Sequence, residues 1–153
     1  MAKQSAGILL YRMRDKQLQV FLIHPGGPFF RNKDDGVWSI PKGEFVDGEE
    51  AFAAAKREFE EETGQRIDGK FIPIAPITQK SGKKVFCWAV QGDMDDKLIL
   101  SNTFEMEWPP RSGKKQTFPE VDKAGWFDVE TAKKKMNEAQ VGLIENLLQF
   151  IKP

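Results

Sequence analysis

The chain has 153 residues, 40% hydrophobic, 30% charged and 11% aromatic, which is ample apolar material for one core and short for a second domain. Lysine and arginine number 23 against 23 acidic residues, a net charge of zero that excludes a protein holding duplex nucleic acid by bulk charge. Cys87 and His24 are each the only residue of their type, which excludes an internal disulfide, a cysteine zinc site and a two-histidine metal site.

The first residues do not read as a secretory signal, and no apolar run approaches the roughly 18–20 residues that cross a bilayer. With one thiol and no export signal, the expectation is a single cytoplasmic domain over 1–153. Two strand-like runs come first, Ser5–Arg12 and Leu18–His24, joined as a hairpin by Arg14-Asp15-Lys16-Gln17. A long irregular stretch from His24 to Val46 follows, with a short strand at Val37-Trp38-Ser39-Ile40. Loops of this length inside a compact domain are often functional.

From Asp47 the pattern becomes helical. Asp47 with Glu50 suggests a capping box, Ala51, Phe52, Ala55 and Phe59 share a face, and Gly64 marks the stop, so a helix is expected over Glu49–Thr63. Phe71–Gln79 and Lys84–Gln91 read as strands around a Lys80-Ser81-Gly82-Lys83 turn, followed by a polar loop containing Trp108-Pro109-Pro110-Arg111-Ser112-Gly113. A short strand at Ala124–Val129 leads into a closing helix that starts near Val129–Thr131. Its apolar positions Val141, Leu143, Ile144, Leu147, Leu148 and Ile151 suit burial. Strands mixed with helices predict an α/β layered domain.

The end of the first helix is chemically unusual, because Glu58, Glu60, Glu61 and Glu62 crowd its last turns. Like charges three or four residues apart cost about 0.2–0.5 kcal/mol per pair, and the negative helix terminus adds up to about 1 kcal/mol for each carboxylate. A bound cation reverses the sign of these terms, and an oxygen-only donor set suits Mg²⁺ or Mn²⁺ rather than zinc. Without a cation, the cluster reads as a solvated acidic face partly offset by Lys56 and Arg57.

The surrounding residues run Gly43-Glu44-Phe45-Val46-Asp47-Gly48-Glu49, then seven more, then Arg57-Glu58-Phe59-Glu60-Glu61-Glu62-Thr63-Gly64. This resembles the Nudix box, departing from it only at Gln65, where the box has an aliphatic residue. The Pro41-Lys42-Gly43-Glu44 lead-in is similar to that of members acting on dinucleoside polyphosphates or diphosphoinositol phosphates. The resemblance implies an α/β/α sandwich with a mixed β-sheet between helices. It also implies metal-dependent hydrolysis of a nucleoside diphosphate linked to another group, with diadenosine tetraphosphate as the leading substrate. A nucleoside triphosphate pyrophosphatase, an RNA 5′ pyrophosphohydrolase and a non-catalytic nucleotide sensor are the alternatives.

The resemblance further implies that Glu58, Glu61 and Glu62 are metal ligands with the Gly43 carbonyl, and that Glu58 or Glu62 is the base. Arg57 pairs with Glu49 or Glu61 to hold the carboxylates, and Glu120 supplies a later carboxylate ligand. Lys42, Arg111, Lys114 and Lys115 are candidates to meet phosphates. Phe29, Phe30, Trp38 and Trp108 are candidates to stack on a base, with packing as the plainer role for each. His24 reads as a structural hydrogen-bonding residue before a substrate contact, and Cys87 as core. The expected partner is a small nucleotide polyphosphate, with neither a membrane nor duplex nucleic acid.

Overall fold

The computed structural model describes residues 3–151. In chain order the elements are β1 (Gln4–Arg14), β2 (Gln17–Pro25), β3 (Lys42–Phe45), α1 (Ala51–Thr63), β4 (Phe71–Thr78), β5 (Lys84–Gln91), β6 (Thr103–Glu107), β7 (Lys115–Pro119), β8 (Val121–Asp128), α2 (Val129–Lys135) and α3 (Val141–Phe150). Among the described residues no helix is long and apolar enough to cross a membrane.

β1 and β2 are apolar without interruption because both faces of their sheet are covered. On β1, Ala6, Ile8 and Leu10 belong to the cluster packed on α1, whereas Leu9 and Tyr11 belong to the cluster packed on α2 and α3. β2 divides the same way, with Phe21 and Ile23 toward α1 and Val20 and Leu22 toward the other layer. The sheet runs β4-β5-β1-β2-β8, with β3 beside the first half of β1. It is mixed, since β1 is parallel to β5 and antiparallel to β2 and β3. The result is the α/β/α sandwich.

Asp15 and Lys16, with φ of 53° and 65°, make the two-residue turn of the first hairpin. β2 pairs with β1 only from Tyr11↔Val20 to the turn, and β3 takes over β1 from Gln4 to Gly7. Ser39–Pro41 fills the wedge left between them. Ser39 exchanges two backbone hydrogen bonds with Ile23, and the Ile8 N–H donates to the Pro41 carbonyl. Gly7 permits this closure, since a Cβ there would lie 2.6 Å from the Lys42 Cβ and the Pro41 oxygen.

Four expectations are corrected. Val37–Ile40 is not a strand, because its hydrogen bonds divide between Ile23 and the end of α2: the Trp38 N–H donates to Lys135 and the Asn137 N–H to Trp38. Gly36 and Trp38 together occupy the last carbonyls of α2, those of Lys134 and Lys135. α1 begins at Ala51 behind an extended Glu50 that makes no side-chain cap, so the Asp47–Glu50 capping box is not formed. The polar loop around Trp108 proves to be a hairpin, β6 and β7, which form a separate two-stranded sheet. Finally, the closing helix is two helices. Met136 turns extended into the core, Asn137 caps a short 3₁₀ turn at Glu138–Gln140, and α3 follows with Leu148 on its more exposed side.

Candidate active site

α1 is held to the sheet by Ala54, Ala55, Phe59 and Thr63, with the Phe59 and Phe21 ring centroids 6.3 Å apart. That face fixes the rotation of the helix, so Glu58 and Glu62, one turn apart, turn toward β3. Gly64 ends the helix with φ of 74°, donating its N–H to the Glu60 carbonyl at 2.8 Å. A Cβ at Gly64 would lie 2.5 Å from the Leu100 oxygen, so the chain leaves the helix through a space that only glycine fits.

Gly43 and Glu58 are built around each other. A Cβ on Gly43 would lie 2.1 Å from the Glu58 Cδ, so the missing side chain is the space the carboxylate occupies. Glu62 accepts the backbone N–H of Lys42 at 2.9 Å. Burial pushes Glu62 up from an ordinary 4.5 to about 8, with the charge of Glu58 adding to the rise and the Lys42 N–H opposing it. Glu58 is also raised, first by burial and then by Glu61, against the pull of Arg57. The charge of Glu120 raises both further.

Backbone bonds tie the Glu120 segment to the end of α1. The Glu120 N–H donates to the Asn102 carbonyl at 2.9 Å, the Asn102 N–H donates to the Glu61 carbonyl at 2.8 Å, and the Glu120 carbonyl accepts from Gly26 at 2.9 Å. Arg57 organises the outer side. Its Nε and Nη2 reach the Glu49 carboxylate at 3.0 and 3.2 Å, and Nη1 reaches Glu58 at 2.9 Å and Glu61 at 3.2 Å. These carboxylates raise the Arg57 pKa well above its usual range. Beside them an open hollow of about 510 Å³ is lined by Arg57, Glu60, Glu61, Gly64, Leu100, Ser101 and Asn102.

Among the described residues no three acidic, histidine or cysteine side chains close a metal-binding group as placed, and Arg57 engages Glu61 and one oxygen of Glu58. The donor chemistry nevertheless fits a hard divalent cation. Glu58 and Glu62 are carboxylates whose ionised forms are disfavoured by burial and by neighbouring carboxylates, and a cation would supply the missing compensation.

The remaining candidates scatter. Lys42 is half-buried, its side chain over Gly7; burial and Lys83 lower its pKa, while Glu62, Glu44 and Glu58 resist. Arg111, Lys114 and Lys115 are exposed at the end of the β6–β7 hairpin. Trp38 is corrected as a substrate contact: it is 5% exposed, in the core, edge to face with His24 and Phe127, and its Nε1 donates to Asp34. No base can reach its faces. His24 is fully buried, with Nε2 donating to the Lys33 carbonyl and Nδ1 facing Asp122, both at 2.7 Å. Cys87 is buried, and burial pushes its thiol pKa far up. Asn102 and Gly26 were missed by the sequence reading, although the Gly26-Gly27 pair signals close backbone approach. A Cβ on Gly26 would lie 2.0 Å from the Pro119 oxygen.

The model of the NUDIX domain family matches residues 1–147. The chain belongs to the Nudix family. A segment of 44 residues is 52% identical to Nudix hydrolase 10 of Arabidopsis thaliana, covering 29% of this chain and only 15% of that protein. The Nudix domain is also similar to a C. elegans Ap4A hydrolase binary complex, with TM-score 0.63 and 21% identity over 97% of both chains. The NUDIX domain of Shewanella oneidensis NrtR complexed with ADP ribose aligns with TM-score 0.65 and 16% identity, over 99% of this chain and 90% of that one. At these identities the likeness shows the Nudix fold.

Proposed function

We propose that this Nudix domain hydrolyses a pyrophosphate bond in a nucleoside diphosphate linked to another moiety, with a dinucleoside polyphosphate such as diadenosine tetraphosphate as substrate and Mg²⁺ or Mn²⁺ as cofactor. The observation that carries this reading is the pair Glu58 and Glu62, set against Gly43 and the Lys42 N–H and both raised in pKa. The likeness to the Ap4A hydrolase supports the choice of substrate.

Glu58, Glu61, Glu62, Glu120 and the Gly43 carbonyl would hold the cation. When bound, it would offset the negative charge on the non-bridging phosphate oxygens and make the attacking water more acidic. Glu58 or Glu62 takes the proton of that water as its oxygen bonds to phosphorus, and the bridging oxygen leaves with the other phosphate. Arg57 keeps Glu58 and Glu61 from turning away between turnovers. Lys42, Arg111, Lys114 and Lys115 are the cations available to the phosphate chain.

The test is to incubate purified protein with Mg²⁺ and a panel of diadenosine tetraphosphate, nucleoside triphosphates, 5′-triphosphate RNA and diphosphoinositol phosphates, following the products. Asymmetric cleavage of diadenosine tetraphosphate, lost in Glu61→Gln, is expected. Pyrophosphate release from triphosphates or from RNA would move the substrate to those classes. No turnover of any compound, with Glu61→Gln behaving as wild type, would leave a nucleotide-sensing module.

A further inference from the structure

The outer end of the β6–β7 hairpin has the composition of a ligand platform. Side chains alternate across this ribbon: Phe104, Met106 and Phe118 are half-buried on one face, while Thr103, Glu105, Lys115 and Thr117 stand exposed on the other. The half-buried face meets Gly27, where a Cβ would lie 2.9 Å from the Phe104 Cζ. The Gly26–Phe29 segment therefore runs along the hairpin, from its hydrogen bond with Glu120 at the base to the tip.

At the tip, Phe29 and Trp108 stand edge to face, with ring centroids 5.4 Å apart and planes at 77°. Phe29 is 59% exposed, so the pair presents aromatic surface to water rather than closing a core. The tip is also organised in advance. The Trp108 N–H donates to the Lys114 carbonyl at 3.0 Å, the Gln116 amide donates to the Trp108 carbonyl at 2.8 Å, and the Arg111 N–H donates to the Glu107 carboxylate at 2.7 Å. Arg111 and Lys114 in the same turn are exposed. Lys115 stands opposite Glu107 across the ribbon, which offsets its charge.

Distance decides which base such a platform can hold. The Lys115–Pro119 strand is extended, so the turn at its outer end stands about 13 Å along the ribbon from the Glu120 end, at about 3.3 Å per residue. A base next to the reacting phosphorus does not span that separation, whereas a base at the far end of a phosphate chain does. We propose that Phe29 and Trp108 form the stacking platform for the distal nucleoside of a dinucleoside polyphosphate, with Arg111 and Lys114 facing the phosphates between; this rests on the substrate reading above.

The experiment compares Phe29→Ala, Trp108→Ala and Trp108→Phe on diadenosine tetraphosphate, ATP and 5′-triphosphate RNA, all with Mg²⁺. Both alanine variants should lose about 5- to 100-fold in kcat/KM on diadenosine tetraphosphate, mainly through KM, the range for one lost base–aromatic stack. That loss should exceed the loss on ATP at least about fivefold, and Trp108→Phe should recover most of it. Equal losses on both nucleotides, or none, overturn the platform while leaving the substrate reading intact. A larger loss on RNA overturns it in favour of a polynucleotide. Failure of wild-type protein to cleave diadenosine tetraphosphate overturns the substrate reading and the platform together.

Discussion

The acidic end of α1 and the tip of the β6–β7 hairpin are both charged, yet they are held in opposite ways. Glu58 and Glu62 project from a helix clamped to the sheet by Phe59, Ala54 and Ala55, against a β3 whose Gly43 was left bare for them. The hairpin lies outside the main sheet, reaching the body through Gly26, Gly27, Asn102 and Phe29. One region is a rigid frame that forces carboxylates together at an electrostatic cost. The other is a light arm with exposed aromatic and basic groups. The difference separates chemistry from recognition: changes in the frame should act on kcat, and changes in the arm on KM.

Glu58→Gln is the strongest way to break that division. Loss of a carboxylate that serves as ligand or base is expected to lower kcat by about 10²–10⁴-fold, measured under saturating substrate and Mg²⁺; an effect confined to KM would place the chemistry elsewhere. Gly43→Ala comes next. Its Cβ has no room beside the Glu58 Cδ at 2.1 Å, and a displacement on the order of 1 Å costs about 10²-fold in rate. Wild-type turnover in this variant would show that the cradle is not needed.

A smaller effect sharpens the electrostatic half of the comparison. Glu62 is raised in the folded protein to about 8 from an ordinary 4.5, so between those values the folded state binds more protons than the unfolded chain. Stability from this group is full below about 4.5 and is lost as pH rises toward 8. In EDTA, melting should therefore shift down by a few degrees between pH 5 and pH 8, at about 2–4 °C per kcal/mol. Saturating Mg²⁺ should flatten the slope, and a metal-free melting temperature rising over this interval would contradict the assignment.

The smallest effect belongs to the arm. Gly27 has φ of +98° and faces Phe104, so Gly27→Ala strains the loop by about 1–2 kcal/mol. KM for diadenosine tetraphosphate should rise a few-fold with kcat nearly constant. A fall in kcat matching that of Gly43→Ala would erase the distinction between frame and arm.

Much of the frame was legible because it is local. The three-and-four spacing of Ala51, Ala55 and Phe59 marks the buried face of α1, and Gly64 marks its end. The hairpin turn at Asp15-Lys16 and the strands Phe71–Thr78 and Lys84–Gln91 follow from the same short-range rules. Other features were illegible for a definite reason. Val37–Ile40 has strand-like residues, but its hydrogen-bond partners are Ile23 and the end of α2, which no local pattern displays. The β6–β7 ribbon was hidden because one of its faces is polar and its turn is long. Trp38 is equally suited by composition to a core or a stacking site, and only packing against His24 and Phe127 chooses the core.

The sequence by itself determined the acidic helix end, the glycine that accommodates it and the family they signal, since spacing along one helix sets which carboxylates share a face. Only the tertiary structure decided that the Glu120 segment is tied through Asn102 to the end of α1, that Arg57 binds Glu49, Glu58 and Glu61 together, and that Phe29 meets Trp108. Those arrangements depend on where distant segments pack, and the wedge between β1 and β2, closed over Gly7, is what brings the box against the sheet.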